Sequence, residues 1–194
     1  MAAPVNPNDP RVKRTRKAIQ QAFLELIAAK DFESITVQDI TQRAELNRAT
    51  FYTHFPDKYE LLSLTVDEMF REVLAQWLPP ESITDERTLI RNLLLAVCQW
   101  QVDAGYSINR RLSRTSYVEE NTKKQLYRII LGCLKEISTD PARQERDLEM
   151  IAVMISCSIY GVVQQWADRR GSETAETFAD RALPFVLSVL RIVD

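Results

Sequence analysis

Residues 36–55 read TVQDITQRAELNRATFYTHF, and this stretch decides the fold. Two short helical patterns are separated by the polar turn ELN, and the second pattern is crowded with Arg, Thr, Tyr and His side chains. Helix N-caps are expected at Thr36, Asn47 and Asp57, because their side-chain oxygens can accept hydrogen bonds from the first free amides of a helix. Helices this short are not stable alone. The sequence therefore predicts that they are mounted on longer helices.

The rest of the chain predicts an all-α fold. Apolar residues recur at spacings of three and four, and the 194 residues include only four Gly and eight Pro. The two prolines of LPPES, residues 78–82, end a long helix and mark an internal boundary. Besides a short helix after Thr36, the expected helices cover residues 11–29, 48–54, 58–77, 85–104, 107–113, 118–137, 143–169 and 173–192, with Gly171 and Ser172 as caps between the last two and a kink at Pro184.

A helix, a three-residue turn and a second helix form a helix-turn-helix unit, whose second helix can enter a DNA major groove. In helix 48–54, Phe51 and Phe55 make one narrow apolar stripe. The remaining surface carries hydrogen-bond formers that suit base edges or phosphates. A helix that served only packing would expose fewer such groups, so this pattern favours DNA binding.

Charge is distributed unevenly along the chain. The net charge is -2, yet residues 1–58 hold nine Lys and Arg against seven Asp and Glu, and the remainder is net negative. The segment RVKRTRK, residues 11–17, contributes five of those positive charges. A basic end on an acidic body is typical of an anion-binding head. A solvated N-terminal tail is the alternative.

The longer stretch ITVQDITQRAELNRATFYTHFPDKYELL resembles the DNA-binding signature of the TetR family of bacterial transcriptional regulators. The similarity covers about residues 12–65, and the family's aromatic and lysine pattern appears here as Tyr52, His54, Phe55 and Lys58. Glu45 departs from it, since the family often has Gly there; a left-handed Glu costs about 1 kcal/mol relative to Gly. The resemblance implies a three-helix DNA-binding domain, residues 1–58, joined by a long helix to a larger helical bundle for ligand binding and dimerisation, residues 59–194.

The resemblance also implies which residues contact DNA. Arg48, Ala49 and Thr50 would face base edges. Tyr52, His54 and Lys58 would clamp phosphates, and Thr36 would contact a phosphate with help from the helix dipole. A basic arm, formed by Arg11, Lys13, Arg14 and Arg16, would follow the backbone or the minor groove. Alternatively, Tyr52 packs against the first helix and the arm makes no contact. The full predicted set is Thr36, Asn47, Arg48, Ala49, Thr50, Tyr52, His54, Lys58 and Arg14.

One helix-turn-helix reads few base pairs, so specificity normally comes from a two-fold dimer on a palindromic operator. The last two helices are the expected homodimer interface, with packing inside the monomer as the alternative. Their apolar stripes are Met150, Met154, Cys157 and Gly161, followed by Phe178, Ala182, Phe185, Val189 and Ile192.

Aromatic residues with polar tips between the boundary and this interface suit an apolar ligand pocket, although such residues also form plain core. The resemblance implies a repressor that a small apolar effector releases from its operator. The predicted pocket residues are Trp100, Tyr106, Tyr117, Tyr127 and Cys133.

The inventory of reactive residues argues against an enzyme. The chain has one His, no glycine-rich phosphate loop and no GxSxG motif. We therefore predict no catalytic, metal or cofactor site. A rival class is an interaction module that uses the 48–54 face for protein, and salt dependence of binding would distinguish it from a DNA reader. Cys98, Cys133 and Cys157 lie far apart among apolar residues, which suits a reducing cytoplasm. No apolar run reaches the length of a membrane span and no signal peptide is evident, so a cytoplasmic protein is expected.

Overall fold

The computed structural model describes residues 9–79, 83, 85–107, 116–137, 145–169 and 173–191. Within these ranges the chain forms α-helices and one short 3-10 turn, Phe32–Ser34, which confirms the predicted all-α fold. The helices are α1 (Pro10–Ala29), α2 (Val37–Arg43), α3 (Arg48–His54), α4 (Lys58–Trp77), α5 (Glu86–Ser107), α6 (Ser116–Ile137), α7 (Glu145–Asp168) and α8 (Ala175–Arg191).

Side-chain caps define where the N-terminal helices begin. Asp9 accepts a hydrogen bond from the amide of Arg11 at the start of α1, where Pro10 occupies a position that needs no N–H donor. Thr36 caps α2, Asn47 caps α3, and Asp57 accepts from two amides at the start of α4. The caps predicted at these last three positions are confirmed. Each satisfies amides that the first turn leaves without a partner inside the helix.

The turn between α2 and α3 contains a left-handed residue. Glu45 has a φ of 55°, which is the conformation that the usual glycine of this position would adopt without strain. The amide of Leu46 donates to the carbonyl of Thr41 at 2.9 Å, closing the end of α2. The turn therefore has a left-handed residue at this position, and that residue is a glutamate.

A continuous apolar core runs from α1 to α8. The N-terminal part, formed by α1, α2 and α3, is called the head here, and α5 to α8 form the body. In the core of the head lie Ile19 and Phe23 of α1, Ile40 of α2, Phe51 of α3 and Phe55 directly after it, all fully buried. The core continues along α4 into the body. The division of the chain into residues 1–58 and 59–194 stays a prediction.

Helix α4 links the head to the body, and it buries a broad face. Leu62, Val66 and Val73 are buried, whereas Met69 and Trp77 are only partly buried. The other buried positions of α4 are Leu61, Thr65, Phe70 and Leu74. Contacts with both α5 and α6 explain this width, because two neighbours cover more of a helix than one does.

The body packs α6 on α7 and α5 on both α7 and α8. Helix α5 extends to Ser107, three residues beyond its predicted end, and α8 continues through Pro184. Pro184 lies on the exposed side, where the carbonyl that it leaves unbonded can meet water. Most of the helix expected at 107–113, together with the caps expected at Gly171 and Ser172, lies outside the described residues.

Helix α7 has the length and composition of a membrane span, with a mean hydropathy of 1.4 over its most apolar window. Its position accounts for that composition. Ile151, Ile155, Ile159 and Val163 are buried against the neighbouring helices, as in the core helix of a helical bundle.

Candidate nucleic-acid interface

Helix α3 presents most of its surface to solvent. Phe51 and Phe55 hold it down with fully buried rings whose centroids are 5.8 Å apart. On the opposite side, Tyr52 is 53% exposed, with its ring edge-on to that of Phe51. The seven-residue helix and the Phe55 that follows it thus contribute two anchors and a surface for contacts. The other exposed residues on this surface are Arg48, Ala49 and Thr53, with Thr50 and His54 partly buried.

The start of α3 is organised by Asn47. Its side-chain oxygen accepts from the amide of Thr50 at 2.7 Å and from the Thr50 hydroxyl at 2.9 Å. Thr50 has therefore used its hydroxyl proton within the protein, and its oxygen is left as an acceptor. Such an oxygen can accept a hydrogen bond from the amino group of adenine or cytosine. Arg48, at the first position of the helix, is exposed beside this cap.

The start of α2 differs from the expected phosphate site. The Thr36 hydroxyl donates to the Asp39 carboxylate at 2.8 Å and accepts from the Asp39 amide at 3.1 Å. The Thr36 backbone amide also donates to this carboxylate at 2.8 Å, and that bond, the Thr36 hydroxyl and Lys30 at 3.0 Å together lower the pKa of Asp39 to about 2. A charged carboxylate already occupies the positive end of the helix dipole. A phosphate contact by Thr36 stays a prediction that requires its hydroxyl to change partners.

Lys58 points into the protein, contrary to its expected role as a phosphate clamp. Its ammonium donates to the carbonyl oxygens of Phe32, Glu33 and Ile35 at 3.0, 3.1 and 3.0 Å. The side chain is only 15% exposed. An ammonium has three protons to donate, so the described contacts already use all of them.

Basic residues of α1 do not form an extended arm in the described chain. Arg14 is exposed, but α1 is helical from Pro10 onward because Asp9 caps it. Arg16 lies with its guanidinium 4.9 Å from the centroid of the Phe55 ring. That distance is typical of a cation–π contact. These side chains would therefore meet DNA from a helix, and their contact with the DNA backbone or the minor groove stays a prediction.

His54 lies at the end of α3, next to Arg16. Partial burial of the imidazole and the nearby Arg16 guanidinium lower the pKa of His54 below its usual 6.5. Both effects disfavour the charged form. At neutral pH the ring is therefore uncharged, and it can offer a hydrogen bond but no positive charge.

The predicted ligand-binding residues do not share one environment in the structure. Trp100 is fully buried, with its ring centroid 5.3 Å from that of Phe70, as expected of core. Tyr127 and Cys133 are partly buried, and burial raises the pKa of the Cys133 thiol. The side chains of Tyr106 and Tyr117 lie outside the described part of the structure.

Two of the cavities lined by described residues contain none of the predicted pocket residues. One is an open groove of about 680 Å³ between α1 and α4, with Arg16, Gln20 and Glu68 in its walls. The other, of about 150 Å³, lies between α7 and α8 beside Trp166 and Phe185. Among the described side chains, no group of three His, Cys, Asp or Glu comes together as metal ligands would.

The expected dimer stripes separate into two classes. Met150, Met154, Cys157 and Gly161 lie together on the exposed side of α7. On α8, Phe178 and Ala182 are buried within the monomer, so the single stripe expected there is wrong. Phe185 is 73% exposed. Val189 is partly buried, and Ile192 lies outside the described residues.

Several side-chain contacts could not be predicted from the sequence, because the two residues in each contact are distant along the chain. Gln20 of α1 donates to Glu68 of α4 at 2.6 Å, and Gln125 of α6 donates to the neighbouring Asp67 at 2.8 Å. Arg43 pairs with Glu25 of α1. Glutamines and charges at helical spacing are ordinary surface features, so no local signal would have distinguished these residues.

The N-terminal region matches a known family. Residues 19–64 fit the model described as bacterial regulatory proteins, tetR family. Over 67 residues the chain is 45% identical to the uncharacterised helix-turn-helix transcriptional regulator YxbF of Bacillus subtilis, a match that covers 34% of this chain and 18% of YxbF. It is 38% identical over 60 residues to the transcriptional activator DhaS of Lactococcus lactis, covering 31% of this chain and 32% of DhaS. The chain thus matches less than a third of the length of these relatives.

Solved structures extend the likeness to the whole fold. A TetR regulator from Streptococcus agalactiae has a TM-score of 0.63 and 24% identity, with 92% of this chain and 96% of that chain covered. FadR from Bacillus subtilis, in complex with stearoyl-CoA, has a TM-score of 0.58 and 16% identity, with 89% and 98% covered. RolR in complex with resorcinol has the same TM-score and 15% identity, with 93% of each chain covered. The resemblance to the TetR family is confirmed: the chain has the family's N-terminal domain and the fold of its regulators.

Proposed function

We propose that this protein is a transcriptional regulator that binds a palindromic DNA operator as a homodimer. The observation that carries the proposal is the division of α3 into two buried anchors, Phe51 and Phe55, and an exposed polar surface. A recognition helix needs that division, because it must be held firmly while its other side chains enter the groove. The match of residues 19–64 to the TetR family supports the same proposal.

Roles for the individual residues follow from their positions. Arg48 and Ala49, at the first turn of α3, face base edges, together with the acceptor oxygen of Thr50. Tyr52 and His54 hold phosphates through their hydroxyl and ring N–H groups. Arg14 approaches the backbone from α1. Asn47 contributes by fixing the first turn, since its oxygen is committed to Thr50.

The proposed homodimer forms through α7 and α8. Four large apolar side chains on these helices are exposed in the monomer: Met150, Val153, Met154 and Phe185, at 61%, 49%, 43% and 73%. Met150, Val153 and Met154 share one face of α7 at helical spacing, and exposed apolar groups clustered in this way mark an interaction surface. A second copy supplies a matching face, and two-fold symmetry then places the two α3 helices on the two half-sites of a palindrome.

We further propose that a small apolar effector releases the protein from DNA. RolR and FadR were solved with resorcinol and stearoyl-CoA, ligands that contain an aromatic ring and a long acyl chain respectively. In this chain the half-buried Tyr127 and Cys133 are candidates for contact with such a ligand. Helix α4 would carry the response, because it is hydrogen-bonded to α6 through Gln125 and to α1 through Gln20.

Activation is a second mode of regulation that a specific observation favours. DhaS, which shares 38% identity with this chain over 60 residues, is a transcriptional activator. A promoter–reporter fusion carrying the selected operator distinguishes the two modes. Repression predicts that the reporter rises when the protein is absent, and activation predicts that it falls.

The direct test of DNA binding is selection of preferred sites from random duplex DNA with the full chain. We expect a two-fold symmetric motif whose affinity falls steeply as salt increases, because lysine and arginine contacts to phosphates release bound counterions. An interaction module for a protein partner would select no motif and would respond weakly to salt. Absence of a motif under low-salt conditions would contradict the proposal.

A further inference from the structure

The contacts of Lys58 are not explained by the proposed DNA-binding role. It is the first residue of α4, yet its ammonium turns back to the segment that precedes α2. The three carbonyl oxygens that it contacts belong to Phe32, Glu33 and Ile35, which lie 23 to 26 residues earlier in the chain. A cation with little exposure to water is stable when each of its donors has a partner.

The acceptors are carbonyls of the 3-10 turn Phe32–Ser34 and of Ile35, which follows it; the Phe32 carbonyl also accepts from the Ile35 amide at 3.1 Å. Carbonyls near a helix end carry partial negative charge, so a lysine is a suitable partner for them. The Lys58 ammonium also lies 4.6 Å from the centroid of the Phe32 ring and 5.4 Å from that of Tyr59. Both distances are within the range of cation–π contacts.

Two further contacts close this arrangement, which we call the Lys58 cluster: Lys58, Phe32, Glu33 and Tyr59. The Phe32 and Tyr59 rings meet edge to face with centroids 5.2 Å apart. The Tyr59 hydroxyl donates to the Glu33 carboxylate at 3.2 Å. Phe32 in turn contacts Phe23 in the core of the head. The cluster therefore joins α4, the segment before α2 and the core of the head.

We propose that Lys58 is a positioning residue, which sets the orientation of the helix-turn-helix on α4 and makes no contact with phosphate. Ile35, whose carbonyl it holds, is followed directly by Thr36, the cap of α2. Helix α2 packs on α3. Fixing the start of α2 to the start of α4 thus fixes the recognition helix to the helix that leads into the body. This inference depends on the proposed DNA-binding function.

The competing role, a phosphate clamp, makes a different demand on the same side chain. The ammonium would have to leave three carbonyl oxygens and two aromatic rings to reach DNA. It would then contribute one released counterion, like any other phosphate contact. Salt dependence and tolerance of arginine therefore separate the two roles.

The experiment compares the full chain with Lys58→Met and Lys58→Arg. Methionine keeps a similar unbranched stem and removes the donors, while arginine keeps the charge but has a planar fork that does not match three converging carbonyls. Lys124→Met, on the exposed side of α6, is the matched control for loss of one lysine charge. Affinity is measured for the selected operator and for random duplex, at a temperature where circular dichroism shows each variant fully folded.

If Lys58 positions the head, both Lys58 variants bind the operator about tenfold more weakly, within the range of effects that residues remote from a ligand exert. Binding to random duplex and the log–log salt slope stay as in the unmodified chain. If Lys58 is a phosphate clamp, Lys58→Met weakens both DNAs alike and lowers the slope by about one unit, while Lys58→Arg binds normally. Unchanged operator affinity in a folded Lys58→Met variant would also overturn the proposal.

A measurement without DNA keeps the inference testable if the proposed function fails. Hydrogen exchange of backbone amides reports local opening. In Lys58→Met we expect faster exchange in residues 32–40 and unchanged exchange in α7, with Lys124→Met unchanged throughout. Equal protection of residues 32–40 in the variant and the unmodified chain would overturn the positioning role, whether or not the protein binds DNA.

Discussion

Arg48 is the side chain best placed to read sequence. It is exposed at the first position of α3, beside the Asn47 cap, and the N-terminal residues of a recognition helix are those that reach base edges. A guanidinium can donate two hydrogen bonds to O6 and N7 of one guanine, a pattern that the other bases do not offer in the major groove.

Replacing Arg48 with Ala should therefore relax sequence preference at one symmetric pair of operator positions. We expect a loss of about 1–3 kcal/mol in binding free energy on the preferred site and little on a site that lacks that guanine. Fluorescence titration of both duplexes measures the difference. An equal loss on the two duplexes would show that Arg48 supplies charge alone, and specificity would then come from Thr50 or from DNA shape.

His54 is the only histidine in the chain, which makes its titration easy to follow. Burial and the Arg16 guanidinium hold its pKa below 6.5 in the free protein. A phosphate placed beside the ring would favour the charged form and raise that pKa. DNA binding would then take up a proton.

We accordingly expect operator affinity to increase as the pH falls. The gain is complete below the pKa of His54 in the free protein, and it is lost as the pH rises through the higher pKa of the complex. Titrations between about pH 5.5 and about pH 7.5 cover this window. His54→Gln keeps a hydrogen-bond donor, and its affinity should not vary with pH. A flat profile for the unmodified chain would remove His54 from the phosphate contacts.

At the scale of elements, the head is built from short helices that begin and end by local chemistry. Thr36 and Asp39 satisfy each other's amides at the start of α2, and the Asn47 side chain accepts from the amide of Thr50 at the start of α3. The turn between them places Glu45 at a φ of 55°, where a side chain is strained. The helix-turn-helix therefore carries a small local cost at a position that glycine would occupy freely.

The variant Glu45→Gly should stabilise the protein. We expect the free energy of unfolding to rise by up to about 1 kcal/mol, because relief of the left-handed strain exceeds the added flexibility of glycine in the unfolded chain. Urea denaturation of the full chain measures this. Glu72→Gly, at an exposed position inside α4, is the control and should lose about 1 kcal/mol. Destabilisation by Glu45→Gly would mean that the glutamate side chain makes a contact that outweighs the strain.

At the scale of the whole molecule, α7 has two apolar faces, one buried in the monomer and one exposed. Ile151, Ile155 and Ile159 are buried against the rest of the body, while Met150 and Met154 remain largely exposed. Phe185 of α8 adds the most exposed large apolar side chain of the described residues. A monomer gains nothing from such a surface, whereas a dimer buries it.

Phe185→Glu tests this interface. A charge there would have to lose its hydration in the dimer, so we expect a folded monomer by light scattering and weak binding to the full palindrome. Val102→Glu is the matched control, since Val102 is an exposed apolar residue on α5 at 43% exposure. That variant should remain dimeric. A dimer formed by Phe185→Glu would place the interface elsewhere on the surface.

Interactions over a few residues are the part of this protein that its sequence determined by itself. The caps at Thr36, Asn47 and Asp57 and the burial of Phe51 with exposure of Arg48 could all be predicted. Each depends on a side chain and a backbone group at most four positions apart, or on the helical period. These local interactions form in the same way in any tertiary context. The helix-turn-helix could therefore be predicted from residues 36–55.

Only the tertiary structure decided the roles that need distant partners. Lys58 matched a phosphate-binding pattern, but its ammonium is held by carbonyls 23 to 26 residues away. Arg16 lies on the Phe55 ring, and Phe178 of the supposed dimer stripe is buried in the monomer. A lysine, an arginine or an apolar stripe has several partners that would satisfy it equally well. Which one it meets depends on how helices far apart in the chain pack together, and spacing along the sequence carries no record of that choice.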